Sequence, residues 1–162
     1  MKKTIYALTG EVKTGVKDDI FRTVAIGSCV VIVAYDVKEQ IGALAHIMLP
    51  GKAPDNKKLQ KNRYTVNALS ELITTMISKG ATQKNIEVCL AGGSNVLKQK
   101  NNTISQQIID SVLENVAKQK LEIKVQSFGG YERRSVTLNV ETGCVYYTIG
   151  DGNEKVLWNF IS

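Results

Sequence analysis

Between Cys29 and Leu49 the chain carries two nearly continuous apolar runs separated by a single polar break. A strand that is apolar at every position has no solvent face, so other layers must cover it on both sides. Residues 29–35 form the first run, residues 36–40 are polar turn material, and residues 41–49 return as a second apolar strand. The pair reads as a β-hairpin. Pro50 and Gly51 stop it and open a basic segment.

The rest of the chain supplies the covering layers. Strands are expected at residues 4–8 and 20–26, with a buried strand at 86–91 that ends at Gly92-Gly93. Four more are expected at residues 121–128, 134–140, 144–149 and 155–159, with turn signals at Glu141-Thr142-Gly143 and Asp151-Gly152-Asn153. Residues 63–79 read as a helix, because Val66, Leu69, Ile73, Met76 and Ile77 recur at three- and four-residue steps, with Gly80 as the stop. A second helix is expected at residues 104–118, with Ile104, Ile108, Val112 and Val116 on one face. Thr103 and Gln106 have capping-box spacing at its start. Strands thus dominate both ends and helices flank a central strand. The expected fold class is α+β: a layered α/β sandwich with mixed or antiparallel sheets and two main helices. No interdomain linker or repeat breaks the 162 residues, so a single domain over 1–162 is expected.

Several functional classes are disfavoured. The basic start Met1-Lys2-Lys3 is followed by an apolar stretch too short for a signal peptide, and no run is long enough to span a bilayer. A cytoplasmic location without membrane insertion is expected. Cys29, Cys89 and Cys144 are widely spaced with no Cys-x-x-Cys pair, so neither a structural zinc site nor a redox motif is expected. The net charge is +6, and part of it lies in residues 52–63, where Lys52, Lys57, Lys58, Lys61 and Arg63 face only Asp55. No aromatic residues interleave with these cations as a base-stacking platform would require, so nucleic acid is not expected as a partner. The segment reads as a solvated loop whose charge suits an acidic protein surface.

The residues that could carry chemistry converge on the hairpin. Gly27-Ser28-Cys29 sits at the mouth of the first apolar strand. A cysteine just past such a turn can lie beneath a cleft with backbone N–H groups beside it, the parts an acyl-transfer nucleophile needs. It can equally be a small buried hydrophobe. The only histidine, His46, lies on the next strand, where it reads either as a core residue or as a base. With a turn near residues 36–40, Cys29 and His46 fall at the open end of the hairpin as near neighbours across the ladder. A neutral imidazole there can take the thiol proton, and Thr23 on the preceding strand could orient it.

The stretch Thr23-Val-Ala-Ile-Gly-Ser-Cys29-Val, the acidic turn residue Asp36, and Gly42-Ala-Leu-Ala-His46-Ile-Met-Leu-Pro50 resemble the signature of CheD proteins. The likeness continues through Tyr64 and Ala68, Ala91-Gly92-Gly93-Ser94, Gly129-Gly130, Arg134-Ser135-Val136 and Glu141-Thr142-Gly143. The resemblance implies deamidation of particular glutamines on the cytoplasmic helices of chemoreceptors. It implies a Cys-His-Thr triad falling on Cys29, His46 and Thr23, a thioester intermediate, and no metal or organic cofactor. It implies an α/β sandwich related to the glutamine-deamidating cytotoxic necrotizing factor toxins, and a CheC-type phosphatase as a second partner. Backbone groups at Gly27 and Ser28 are the expected oxyanion and substrate contacts. Where the family usually carries Ile-Gly-x-Arg-Asn at the second helix start, this chain has Ile104-Ser105-Gln106-Gln107. That departure keeps an alternative in view: a regulator that binds receptors or a CheC-type phosphatase with little or no turnover.

Overall fold

The computed structural model describes residues 2–101 and 103–162; Met1, which opens the basic start, lies outside them with Asn102. The chain order is β1 (Lys3–Tyr6), β2 (Val12–Gly15), β3 (Asp19–Ile26), β4 (Val30–Asp36), β5 (Ile41–Ile47), α1 (Thr65–Ser78), β6 (Ile86–Gly92), α2 (Ile104–Lys118), β7 (Glu122–Phe128), β8 (Arg134–Asn139), β9 (Cys144–Ile149) and β10 (Lys155–Asn159). Two five-stranded mixed sheets result, ordered β1-β3-β8-β9-β10 and β2-β5-β4-β6-β7. The pairs β1/β3 and β6/β7 are parallel and the others antiparallel. This is the α+β class expected.

Side-chain alternation explains why the hairpin is apolar throughout. On β4, Val30, Ile32 and Ala34 pack with α1 and α2, while Val31, Val33 and Tyr35 pack with the other sheet. On β5, Ile41, Ala43, Ala45 and Ile47 face the helices and Leu44 faces the opposite sheet. The β2-β5-β4-β6-β7 sheet is thus the middle of three layers, and its central strands have no wet face. Among the described residues, Asp36 is the one carboxylate that is fully buried. It ends β4 and accepts from the amides of Lys38 (3.0 Å), Glu39 (3.1 Å) and Thr82 (2.9 Å), which fixes the hairpin turn to the segment after α1.

Both helices end in Schellman motifs. After α1, Gly80 N–H bonds Ile77 O at 3.0 Å and Ala81 N–H bonds Met76 O at 3.0 Å, with Gly80 at φ 115°. After α2, Lys120 N–H bonds Ala117 O at 3.0 Å and Leu121 N–H bonds Val116 O at 3.2 Å, but here the left-handed residue is a lysine at φ 57°. A Cβ is unfavourable in that region. Lys120→Gly is therefore expected to stabilise the fold by about 0.5–1 kcal/mol, net of the backbone entropy glycine loses. Urea denaturation monitored by circular dichroism checks this as a higher midpoint at unchanged slope.

Four sequence expectations need correction. The strand β2 was not expected: Val12-Lys13-Thr14-Gly15 has too little apolar pattern to stand out, and it forms by adding to the edge of β5. The N-terminal strand ends at Tyr6, leaving Leu8 exposed. The basic segment is not a plain loop; Asp55–Arg63 coils as 3₁₀ turns kinked at Lys57 and Gln60, with Leu59 fully in solvent. Finally, only half of the capping box forms. Gln106 N–H donates to Thr103 Oγ1 at 3.1 Å, but the Gln106 side chain turns to Asp110 Oδ1 at 2.8 Å instead of reaching back. Among the described residues, no helix is long and apolar enough to cross a membrane.

Candidate active site

The connection from β3 to β4 passes from one sheet to the other, so Gly27-Ser28-Cys29 lies at the mouth between the sheets. Just before it, β3 carries a bulge: Thr23 pairs with Val136 and Ile26 with Arg134, so Val24 and Ala25 together oppose Ser135. Ala25 takes φ 56°, a left-handed conformation unusual for a residue with a Cβ. Bulges of this kind end a pairing and re-aim the chain, and they recur beside functional sites. Here the bulge lifts residues 27–29 off the first sheet toward the second.

Cys29 is half-buried and packs against the inter-sheet core. His46 is 6% exposed and Thr23 is 2% exposed. His46 Nδ1 lies 2.9 Å from Thr23 Oγ1, a contact that bridges the sheets, and 3.5 Å from the carbonyl oxygen of Ala7. A carbonyl only accepts, so the tautomer compatible with both neighbours carries its proton on Nδ1. Nε2 is then left with a free lone pair, the arrangement a base needs.

The ladder corrects one expectation. The hairpin closes at Asp36 opposite Ile41, so His46 pairs with Val31 and Ile47 with Val30. Cys29 therefore lies diagonal to His46, one step beyond the first pair, not directly opposite it. Because side chains alternate, the offset of two leaves both on the inter-sheet face. Diagonal positions are spaced about 7–8 Å apart, which long side chains can close.

Glycine is demanded elsewhere than at Gly27. A Cβ at Gly27 would meet only Val96 at ordinary contact distance (3.4 Å). At Gly92, with φ 120°, a Cβ would run into the carbonyl oxygen of Cys29. Gly93 N–H bonds that same oxygen at 2.8 Å, and Ser94 N–H bonds Gly27 O at 2.9 Å. The Gly92-Gly93-Ser94 turn thus clamps the cysteine loop through its backbone. Arg134 holds the turn from behind. It is 6% exposed and donates to Ser94 Oγ at 2.6 Å, Gly129 O at 2.9 Å and Ser127 Oγ at 3.2 Å. Among the described residues no carboxylate pairs with it.

Above Cys29 opens a cleft of about 340 Å³, bordered by Ser28, Val96, Leu97, Ile104, Ser105 and Arg133. Gly27 lines it as well. The altered second-helix start therefore falls at the lip of this cleft. Sequence reasoning missed Ala25, Arg133, Val96 and Leu97. Nothing marks an alanine as left-handed in sequence, while Arg133, next to the double glycine and Arg134, is a signal that could have been weighed.

Burial sets the protonation of the pair. It pushes the Cys29 thiol above its ordinary range, against a smaller opposing effect of its own backbone N–H. It pulls His46 below its ordinary value, with the Ala7 carbonyl and Glu11 acting weakly the other way. Both partners rest neutral at pH 7, so His46 is suited to accept a proton during attack rather than to hold a standing thiolate. Cys89 is pushed far up, chiefly by burial. Alkylation with iodoacetamide should therefore be slow at pH 7, and it should still be accelerating above the ordinary thiol range of about 8.5. Peptide mapping should find the label on Cys29 before Cys89; a fast neutral-pH reaction at Cys29 would contradict the neutral pair.

The three-layer fold and this cleft define an α+β sandwich protein with a half-buried cysteine in a cleft at the mouth between its sheets; His46 and Thr23 are bonded to each other between the sheets and do not line the cleft. The chain belongs to the CheD family. The family model, described as CheD chemotactic sensory transduction, matches residues 48–148. That stretch takes in the Gly92-Gly93-Ser94 turn and Arg134 and begins just past His46. The chain is also similar to the probable chemoreceptor glutamine deamidase CheD of Chlorobium luteolum, at 34% identity over 98% of this chain and 79% of the relative. A probable chemoreceptor glutamine deamidase CheD from Methanococcus vannielii is 33% identical over 90% of this chain and 93% of its own. The chemoreceptor glutamine deamidase CheD of Thermotoga maritima is 28% identical over 96% and 97%.

Proposed function

We propose that this chain is a protein-glutamine deamidase that acts on the cytoplasmic helices of chemoreceptors, with Cys29 as nucleophile, His46 as base and Thr23 as the group that orients it. The observation that supports the reading is the 2.9 Å contact of Thr23 with His46 Nδ1, which holds the imidazole through Nδ1 and leaves Nε2 as its basic nitrogen. The names borne by the relatives support the substrate.

In this reading a receptor glutamine side chain enters the cleft and the Cys29 sulfur attacks its carboxamide carbon. The thiol proton passes to His46 Nε2, and the carbonyl oxygen takes up the negative charge. Backbone N–H groups of the Gly27-Ser28-Cys29 loop stabilise that oxyanion. The tetrahedral species collapses, the C–N bond breaks, and His46 returns its proton to the departing ammonia. Water, deprotonated by His46, then attacks the thioester. The products are glutamate and the free thiol, with no net oxidation or reduction. Such a protein works in the cytoplasm, where the receptor helices lie.

A second reading has one observation in its favour. Ile104 and Ser105, the first two residues of the altered segment Ile104-Ser105-Gln106-Gln107, line the cleft, which suits a regulator that binds receptors or a CheC-type phosphatase with little turnover. Incubation with a purified receptor cytoplasmic fragment, followed by peptide mass spectrometry, separates the two. Deamidation predicts the mass gain of amide-to-acid conversion on particular glutamines. Binding without any mass gain supports the regulator.

A further inference from the structure

The cleft above Cys29 does not end at Arg133. A second groove of about 530 Å³ adjoins it, and the two share Ala25 and Arg133. The second groove is walled by Arg22, Arg133 and Arg134, with Glu132 and Asp151 as its carboxylates. The three guanidinium groups are not equivalent. Arg134 is spent on the Ser94 turn, as described above. Arg22 donates to Thr137 Oγ1 at 2.9 Å and lies 3.5 Å from Glu154, which lies outside the groove lining. Arg133 is exposed and has no ion pair among the described residues. An unpaired cation thus stands where the groove meets the thiol cleft, which is also lined by the apolar Val96, Leu97 and Ile104.

We infer that Arg133 is a specificity-determining residue: it selects target glutamines that carry a carboxylate about one helical turn away. The inference rests on the deamidase reading and adds to it the chemistry of the flanking residue. On a helix, side chains three and four positions apart are neighbours, about 5–6 Å between Cβ atoms. A glutamine reaching toward Cys29 therefore places such a neighbour at the cleft rim. The lining offers such a neighbour either apolar contact, as at Leu97, or the guanidinium of Arg133. A carboxylate suits only the second, and arginine can bind it through two parallel N–H groups. A cationic neighbour on the substrate would be repelled there, so the same residue also rejects.

The test compares kcat/KM for receptor cytoplasmic fragments in which the residue four positions from one converted glutamine is glutamate, glutamine or lysine. Wild-type protein should prefer the glutamate form over the glutamine form by roughly fivefold at low salt, the worth of a partly exposed ion pair, with the ratio shrinking as salt rises. Arg133→Ala should bring that ratio to about one. Arg133→Lys should restore part of it, and Arg133→Glu should reverse the order toward the lysine form. Arg133 is exposed, so these variants put no core packing at risk. A glutamate preference that survives in Arg133→Ala, or equal rates for all three fragments with wild type, overturns the inference while leaving the deamidase reading intact. Failure of wild type to convert glutamine in any fragment removes that reading, and the inference falls with it.

Discussion

Cys29→Ala is expected to abolish deamidation of a receptor fragment, lowering kcat/KM by a factor on the order of 10⁴ or more. In the proposed mechanism the sulfur forms the acyl bond, and the hydroxyls that share the cleft (Ser28, Ser94, Thr103 and Ser105) are far weaker nucleophiles, so its removal leaves binding and oxyanion contacts without an effective nucleophile. The fold should not suffer. Cys29 is half-buried, precedes β4 rather than lying within it, and holds the Gly92-Gly93-Ser94 turn through its backbone oxygen, which alanine keeps. Receptor-fragment affinity and thermal midpoint should therefore stay close to wild type. Cys89→Ala makes the contrast. Its thiol is fully buried in the inter-sheet core, so the loss there should fall on stability and not on turnover.

His46→Gln is expected to cost about 10²- to 10⁴-fold in kcat/KM, the usual worth of a positioned base. Its pH profile tells more than its size. Burial pulls the His46 pKa below its ordinary value, so the acid limb of wild-type kcat/KM should lie below pH 6.5, not at it. The sign follows from which form works: the neutral imidazole is active, burial favours the neutral form, and activity persists to lower pH than an exposed histidine would permit. In His46→Gln nothing local takes the thiol proton, so hydroxide must. Because the Cys29 thiol is raised, the variant's rate should climb about tenfold per pH unit through the range where wild type is flat. Thr23→Val should act through the same imidazole and more mildly, because Ala7 O still faces Nδ1. A His46→Gln profile parallel to wild type would assign His46 to packing alone.

Much of the fold was legible because its strongest signal is local. The apolar run on β4 and β5 demanded cover on both sides, and the three layers supply it. The limits of α2 follow from its apolar spacing and Thr103. What escaped was set by pairing, not by composition. β2 exists only as an edge added to β5, and its four residues carry no pattern of their own. The rung that relates Cys29 to His46 was not legible. Turn length fixes the rung, whereas an even offset leaves the face unchanged. The contact between Thr23 and His46 joins two sheets, and no spacing along one chain reveals which strand of a second sheet will lie over a given position. The Ala25 bulge was invisible for a different reason: left-handed backbone is flagged by glycine or asparagine, and this chain places an alanine there.

The proposed deamidation requires a bond between the Cys29 sulfur and a glutamine side-chain carbon. Rapid mixing of protein with a receptor fragment, acid quenching within the first turnover and intact-mass analysis looks for that bond. The expected species has the summed mass of the two chains less one ammonia, is cleaved by hydroxylamine, maps to Cys29 and is missing in Cys29→Ala. Glutamine conversion that proceeds at the wild-type rate in Cys29→Ala, with no covalent species in either protein, would contradict it.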